Sequence, residues 1–160
     1  MLKEILKILE SDSRTSTRKI SVMTGATPAK VNNLIKQAEK DRTILKYKTV
    51  INWDKVEDEQ VWAIIECKVS PKPDAGFDSV ADRISVFPQV RSAYLASGNY
   101  DLLIVVVDKN EHEISGFVSQ KLSHIDGIES TETHFVMKRY KEDGITLGEG
   151  ETEKRQQVIL

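Results

Sequence analysis

The stretch Val90-Arg91-Ser92-Ala93-Tyr94-Leu95-Ala96-Ser97-Gly98-Asn99-Tyr100-Asp101-Leu102-Leu103-Ile104-Val105-Val106-Val107 decides the fold. Two runs of strand composition, 90–97 and 102–107, flank Gly98-Asn99, a short hairpin signal. The second run is apolar without interruption, as a strand covered on both faces should be. Upstream, Pro88 stops a helix whose Phe77, Val80, Ala81 and Ile84 recur at i, i+3, i+4 and i+7. Before that helix, residues 61–69 alternate as a strand. Val61, Ala63, Ile65, Cys67 and Val69 take one face, Trp62, Ile64, Glu66 and Lys68 the other, and Pro71 and Pro73 end the run. Downstream, Ile114, Phe117, Val118, Leu122 and Ile125 line a second helix, and Gly127 punctuates. Residues 128–138 follow as a fourth strand, with Thr131, Thr133, Phe135 and Met137 on one face. The order over 61–140 is β-α-β-β-α-β, the ferredoxin-like split pattern of a four-stranded antiparallel sheet with both helices on one face. The other face carries apolar and aromatic residues on several strands, and its expected cover is a second copy of the chain.

The N-terminal part reads differently. Leu2, Ile5, Leu6, Ile8 and Leu9 give a first helix, broken by Ser11-Asp12-Ser13. A second helix is expected over 17–23, capped by Ser16 or Thr17, and Thr24-Gly25-Ala26 turns the chain. Thr27 caps a third helix with Pro28 at its first position, and Val31, Leu34, Ile35 and Ala38 form its inner stripe. Ile20, the small Ser21, Gly25 four residues later, then Val31 and Leu34 fit a helix-turn-helix. Ser21 replaces the commoner alanine, and Thr24 stands where a larger apolar residue is usual. The outer face of the third helix offers Thr27, Lys30, Asn32, Asn33, Lys36 and Gln37. Asn and Gln side chains pair with adenine edges in the major groove, while lysines and a helix N-terminus suit phosphates. Arg14, Thr17 and Arg18 stand ready to clamp the backbone, with Lys46 and Lys48 as further phosphate contacts. The plainer reading is a set of solvated polar positions on a small helical unit.

Charge favours the nucleic-acid reading. The net charge of −2 hides 11 Lys/Arg against 5 Asp/Glu in residues 1–50 and 12 against 20 in residues 51–160, or +6 and −8. A basic head on an acidic body is the asymmetry expected of a chain that meets phosphates at one end. The α+β organisation therefore divides into a winged-helix-like helix-turn-helix domain over 1–43, a strand (44–51) and polar linker to residue 60, the ferredoxin-like domain over 61–140, and an acidic mobile tail over 141–160.

With both parts in view, the chain resembles the Lrp/AsnC (feast/famine) family of prokaryotic transcriptional regulators. The most specific resemblance is Gly98-Asn99-Tyr100-Asp101, similar to the family's Gly-x-Tyr-Asp loop. The second is Thr131-Glu132-Thr133, similar to its Thr-x-Thr strand entry. The resemblance implies sheet-to-sheet dimers, rings such as octamers, and a small effector, usually an amino acid, bound where dimers meet. Carried over, the effector positions are Gly98, Asn99, Tyr100, Asp101, Thr131 and Thr133. Asp101 suits an ammonium group, and Gly98, Asn99 and Thr133 suit a carboxylate. Each also has a structural role open to it: Gly98 serves the turn, Asp101 caps backbone N–H groups, and Tyr100 packs at an interface. The third helix lacks the arginines often seen in the family.

Other chemistry is not expected. No catalytic residue, metal site or cofactor emerges, because His112, His124 and His134 have no second ligand at metal spacing and Cys67 reads as a buried small hydrophobe. No apolar run reaches the length of a membrane span, and the charged start MLKEILKILESD is unlike a signal peptide, so a cytoplasmic home is expected. Two other functions fit less well: a siroheme decarboxylase-like enzyme subunit, and an amino-acid sensor that does not bind DNA.

Overall fold

The computed structural model describes residues 1–56, 60–70 and 76–148. Pro71 and Pro73 lie outside them. The contacts divide the chain into two units, Met1–Val50 and Ile51–Leu160.

The first unit is three helices: α1 (Leu2–Ser11), α2 (Thr17–Thr24) and α3 (Pro28–Lys40). Ile5, Leu9, Ile20 and Val31 form its core, with Ile8, Ala26, Leu34, Ile35 and Ile44 packed around them. Local chemistry sets the boundaries. The Ser16 hydroxyl accepts the Lys19 N–H and the Thr27 hydroxyl accepts the Lys30 N–H, both at 3.3 Å, satisfying donors that a helix start leaves unpaired. Gly25 closes α2 in the left-handed region at φ +67°.

The strand expected over 44–51 does not form. Ile44 caps the three-helix core and its N–H donates to Ala38 O, but residues 45–51 pair with no strand among the described residues. Leu45 and Tyr47 stay exposed. Branched and aromatic residues favour a pleated surface only when a neighbouring strand supplies the ladder.

In the second unit, β1 (Val61–Val69), α4 (Gly76–Ser85), β2 (Val90–Leu95), β3 (Leu102–Asp108), α5 (Glu111–Gln120) and β4 (Ile128–Phe135) follow in the expected order. The sheet runs β2-β3-β1-β4, antiparallel throughout. Alternation assigned the faces of β1: Ala63, Ile65, Cys67 and Val69 are buried against Val80, Ile84, Ile114 and Phe117 of the helices. Leu102, Ile104 and Val106 of β3 join them. On the opposite face lie Trp62, Ile64, Leu103 and Val105, none of them fully buried.

Several boundaries shift, β2 among them, which stops at Leu95 rather than 97. The second body helix ends at Gln120, and Leu122 enters the core from a 3-10 turn, Leu122–His124. The fourth strand ends at Phe135 rather than 138, leaving Met137 exposed, although the Val136 N–H still reaches Trp62 O at 2.8 Å. Residues 141–147 are not a loose tail. Lys141–Glu142 (β5) pairs with Ile145–Thr146 (β6) across Asp143 and Gly144, both at positive φ as a tight hairpin turn requires. Leu147 is then buried, and its carbonyl accepts the Asn52 side-chain amide at 2.8 Å. Residues 149–160 lie outside the described part.

Candidate functional site

In the first unit, the turn between α2 and α3 is held by the residues that depart from the usual pattern. The Ser21 hydroxyl donates to Ala26 O, and the Thr24 hydroxyl donates to Ile20 O at 2.8 Å. Both polar side chains are therefore satisfied at a close helix crossing. Thr27, Lys30, Asn32, Asn33, Lys36 and Gln37 are all exposed, while Val31 and Ala38 face inward. The inner stripe thus orients the polar side chains of α3 outward as one surface. Thr27 spends its acceptor on capping, which leaves its hydroxyl proton to donate. Ahead of α2, Asp12 accepts the Arg14 N–H at 3.0 Å and the Thr15 hydroxyl at 3.2 Å, fixing the loop that carries Arg14. Arg18 is exposed and Thr17 half-buried. The one carboxylate of α3, Glu39, accepts the Tyr47 hydroxyl at 2.8 Å. Burial, then Glu39, push the Tyr47 phenol upward, so it remains a donor at neutral pH.

In the second unit, the two carried-over motifs meet on either side of one residue. Cys67 of β1 pairs with Leu102 of β3 and with Thr131 of β4. The Asp101 N–H donates to Cys67 O at 3.0 Å. The loop 98–101 and Thr131 thus flank the end of β1, with Thr133 one step further along, opposite Ile65. Two strand spacings put their backbones about 10 Å apart. Gly98 turns at φ +142° and, like Asn99, is exposed, whereas Tyr100, Thr131 and Thr133 are half-buried. Asp101 is already engaged. Its carboxylate accepts the Val69 N–H at 2.8 Å and holds the Lys68 ammonium at 3.2 Å. The Val69 N–H lowers the Asp101 pKa, burial opposes it, and the Lys68 ammonium adds to the lowering. Its capping role is therefore realised.

Two groupings escape the sequence. The Arg139 guanidinium lies 4.3 Å from the Trp62 ring centre. A surface cavity of about 290 Å³ adjoins them, bounded by Gln60, Trp62 and residues 136–139. Glu66, Glu132 and His134 converge on the open face of the sheet. Side-chain alternation placed His134 on the correct face, but nothing in linear spacing says which residues stand opposite it.

A helix-turn-helix with a basic outer face, joined to a ferredoxin-like unit, defines a DNA-binding transcriptional regulator with a separate ligand-responsive domain. Residues 2–44 match the winged helix-turn-helix DNA-binding model and residues 62–146 match the Lrp/AsnC ligand binding domain. The chain is 43% identical over 153 residues to the HTH-type transcriptional regulator YugG of Bacillus subtilis, covering 95% of this chain and 92% of the relative. It is 30% identical to the HTH-type transcriptional regulator FL11 of Pyrococcus furiosus, covering 88% and 89%. The chain belongs to the Lrp/AsnC family of transcriptional regulators. Among solved structures it resembles E. coli AsnC, with a TM-score of 0.66, 20% identity, and 88% and 93% of the two chains covered. It also resembles a Neisseria meningitidis transcriptional regulator in complex with L-Met, with a TM-score of 0.69, 21% identity, and 92% and 95% covered. No helix among the described residues is long and apolar enough to cross a membrane.

Proposed function

We propose that this regulator acts in the cytoplasm as a sheet-to-sheet dimer, assembled further into rings such as octamers, with its DNA grip set by an amino-acid effector. The observation that carries the assembly is the half-exposed apolar strip of Trp62, Ile64, Leu103 and Val105 on the face of the sheet opposite the helices. A second copy of the same strip is a self-complementary cover, as two-fold symmetry requires. On DNA, α3 enters the major groove. Asn32, Asn33 and Gln37 read base edges, and Thr27, Lys30 and Lys36 hold phosphates together with Arg14, Thr17 and Arg18. Paired heads then engage half-sites about one helical turn, ~34 Å, apart.

The effector site comprises the loop Gly98-Asn99-Tyr100-Asp101 and Thr131 and Thr133. The loop residues Gly98 and Asn99 are exposed, which supports completion of the site by a neighbouring dimer. The L-Met bound to the Neisseria regulator supports an amino acid as the ligand class. The effector shifts assembly only through unequal affinity for the two arrangements.

The test pairs a gel-shift titration on DNA upstream of the chain's own coding sequence with a thermal-shift screen of amino acids. Binding that weakens steeply with salt is expected. A true effector at a hundredfold excess over its dissociation constant adds about 2.7 kcal/mol of stability. No retardation of any genomic fragment at low salt overturns the DNA reading, and no stabilising amino acid overturns the effector class.

A further inference from the structure

The pairing of β1 with β4 sets Glu66 directly opposite Glu132. Like charges at one rung of a sheet destabilise it unless something neutralises them. His134 lies two residues along β4, opposite Ile64 and on the same open face. Its Nε2 is 3.8 Å from Glu132 Oε1 and 3.9 Å from Glu66 Oε1. One ligand atom from each of the three residues falls within 4.8 Å of the others. Lys68, the basic residue two positions along β1 on this face, has its ammonium 3.2 Å from Asp101. Among the described residues, the His134 imidazole is the one basic side chain within 4.0 Å of either carboxylate.

We propose that Glu66, Glu132 and His134 bind one divalent transition-metal ion of the zinc, cobalt or manganese kind. The donor set decides the class. Imidazole with two carboxylates suits these ions, whereas calcium and magnesium prefer all-oxygen sites and copper(I) prefers sulfur. The geometry is close to what coordination needs. Around a tetrahedral zinc with bonds of ~2.0 Å, ligand atoms stand about 3.3 Å apart. Side-chain rotations of Glu66 and Glu132 that move their oxygens by about 0.5 to 1.5 Å close that gap, because adjacent strands already hold the backbones in place. Three protein ligands leave at least one position for water. The ion turns the repulsive rung into a bridge between the edge strand β4 and the sheet. All three ligands come from one chain, so the site is complete whether or not a second copy covers this face.

The experiment uses the full untagged chain, stripped with a chelator and titrated separately with Zn²⁺, Mn²⁺ and Co²⁺ by calorimetry. The Co²⁺ sample is also followed by visible absorption. One ion per chain is expected, with a Co²⁺ ligand-field spectrum. Glu132→Gln and His134→Gln should each weaken binding by about tenfold or more. His124→Gln, which alters an exposed histidine outside the trio, should leave it unchanged. Because the Glu132 side chain is largely exposed and that of His134 about half exposed, their variants should fold, as far-UV circular dichroism will verify. Equal affinity in His134→Gln and the parent overturns the site, as does an equal loss in His124→Gln. Binding of all three ions only at millimolar concentration overturns it as well.

Discussion

The Asp101 carboxylate accepts the Val69 N–H at 2.8 Å, just past the last pair of the β1–β3 ladder, Cys67 with Leu102. The β1–β3 ladder ends at Cys67 and Leu102, so the next donor on that side of β1, the Val69 N–H, has no strand partner. Asp101 meets that donor, so the loop entering β3 is stapled to the end of β1. An effector that used Asp101 for its ammonium group would have to share the carboxylate with this staple.

This staple is pH-dependent. Because the folded pKa of Asp101 is lowered, the carboxylate stabilises the fold fully above its ordinary value and loses that contribution as pH falls through the folded value. Thermal melts of the parent and of Asp101→Asn should differ most near neutrality. Their midpoints should converge below about pH 4, the ordinary aspartate range. A gap that stays constant with pH would contradict the charge-based staple.

Gly127 and Gly25 should respond differently to alanine. Both have positive φ, at +101° and +67°. A Cβ at Gly25 meets open space, whereas one at Gly127 comes within 3.0 Å of Val80 Cγ2 in the core. Gly25→Ala is expected to cost about 1–2 kcal/mol from backbone strain alone. Gly127→Ala should cost more, because Val80 must also shift. Denaturant midpoints check the order.

Cys67 is fully buried, and burial pushes its thiol up to about 11. In the native protein it should resist a thiol reagent at mildly alkaline pH, since the thiolate is the reactive form. In guanidinium the same thiol should react at once. Rapid stoichiometric labelling of the native chain would place Cys67 outside the core.

Lys30→Ala and Lys36→Ala should weaken DNA binding about equally across sequences. Each should reduce the slope of log affinity against log salt by about 1. Asn33→Ala should instead erode discrimination between operator and random DNA while leaving the slope unchanged. Gel shifts at several salt concentrations separate the two behaviours.

Thr27 carries two roles that one substitution pair can divide. Thr27→Ala removes the cap on Lys30 N–H and should cost about 1 kcal/mol, whereas Thr27→Ser keeps the hydroxyl and should cost little. Urea denaturation of both variants measures the difference.

The features that follow from the order of residues alone are local. The period of 3.6 in α3, the caps at Ser16 and Thr27, the turn at Gly25 and the alternation of β1 each arise from neighbouring residues along the chain. They sufficed for the helix-turn-helix, the β-α-β-β-α-β order and the buried face of β1. The hairpin across Asp143-Gly144 is not legible and reads as part of a mobile tail, because flanking strands of two residues are too short to show alternation. The strand composition of 44–51 misled, because a strand is completed by a partner and composition names none. Which residues stand opposite one another is set by the assembled sheet. Alternation gives the face of a side chain but not its register. Thus the flanking of Cys67 by Asp101 and Thr131, and the meeting of Glu66, Glu132 and His134, depend on pairings between residues tens of positions apart. Those pairings belong to the sheet as a whole.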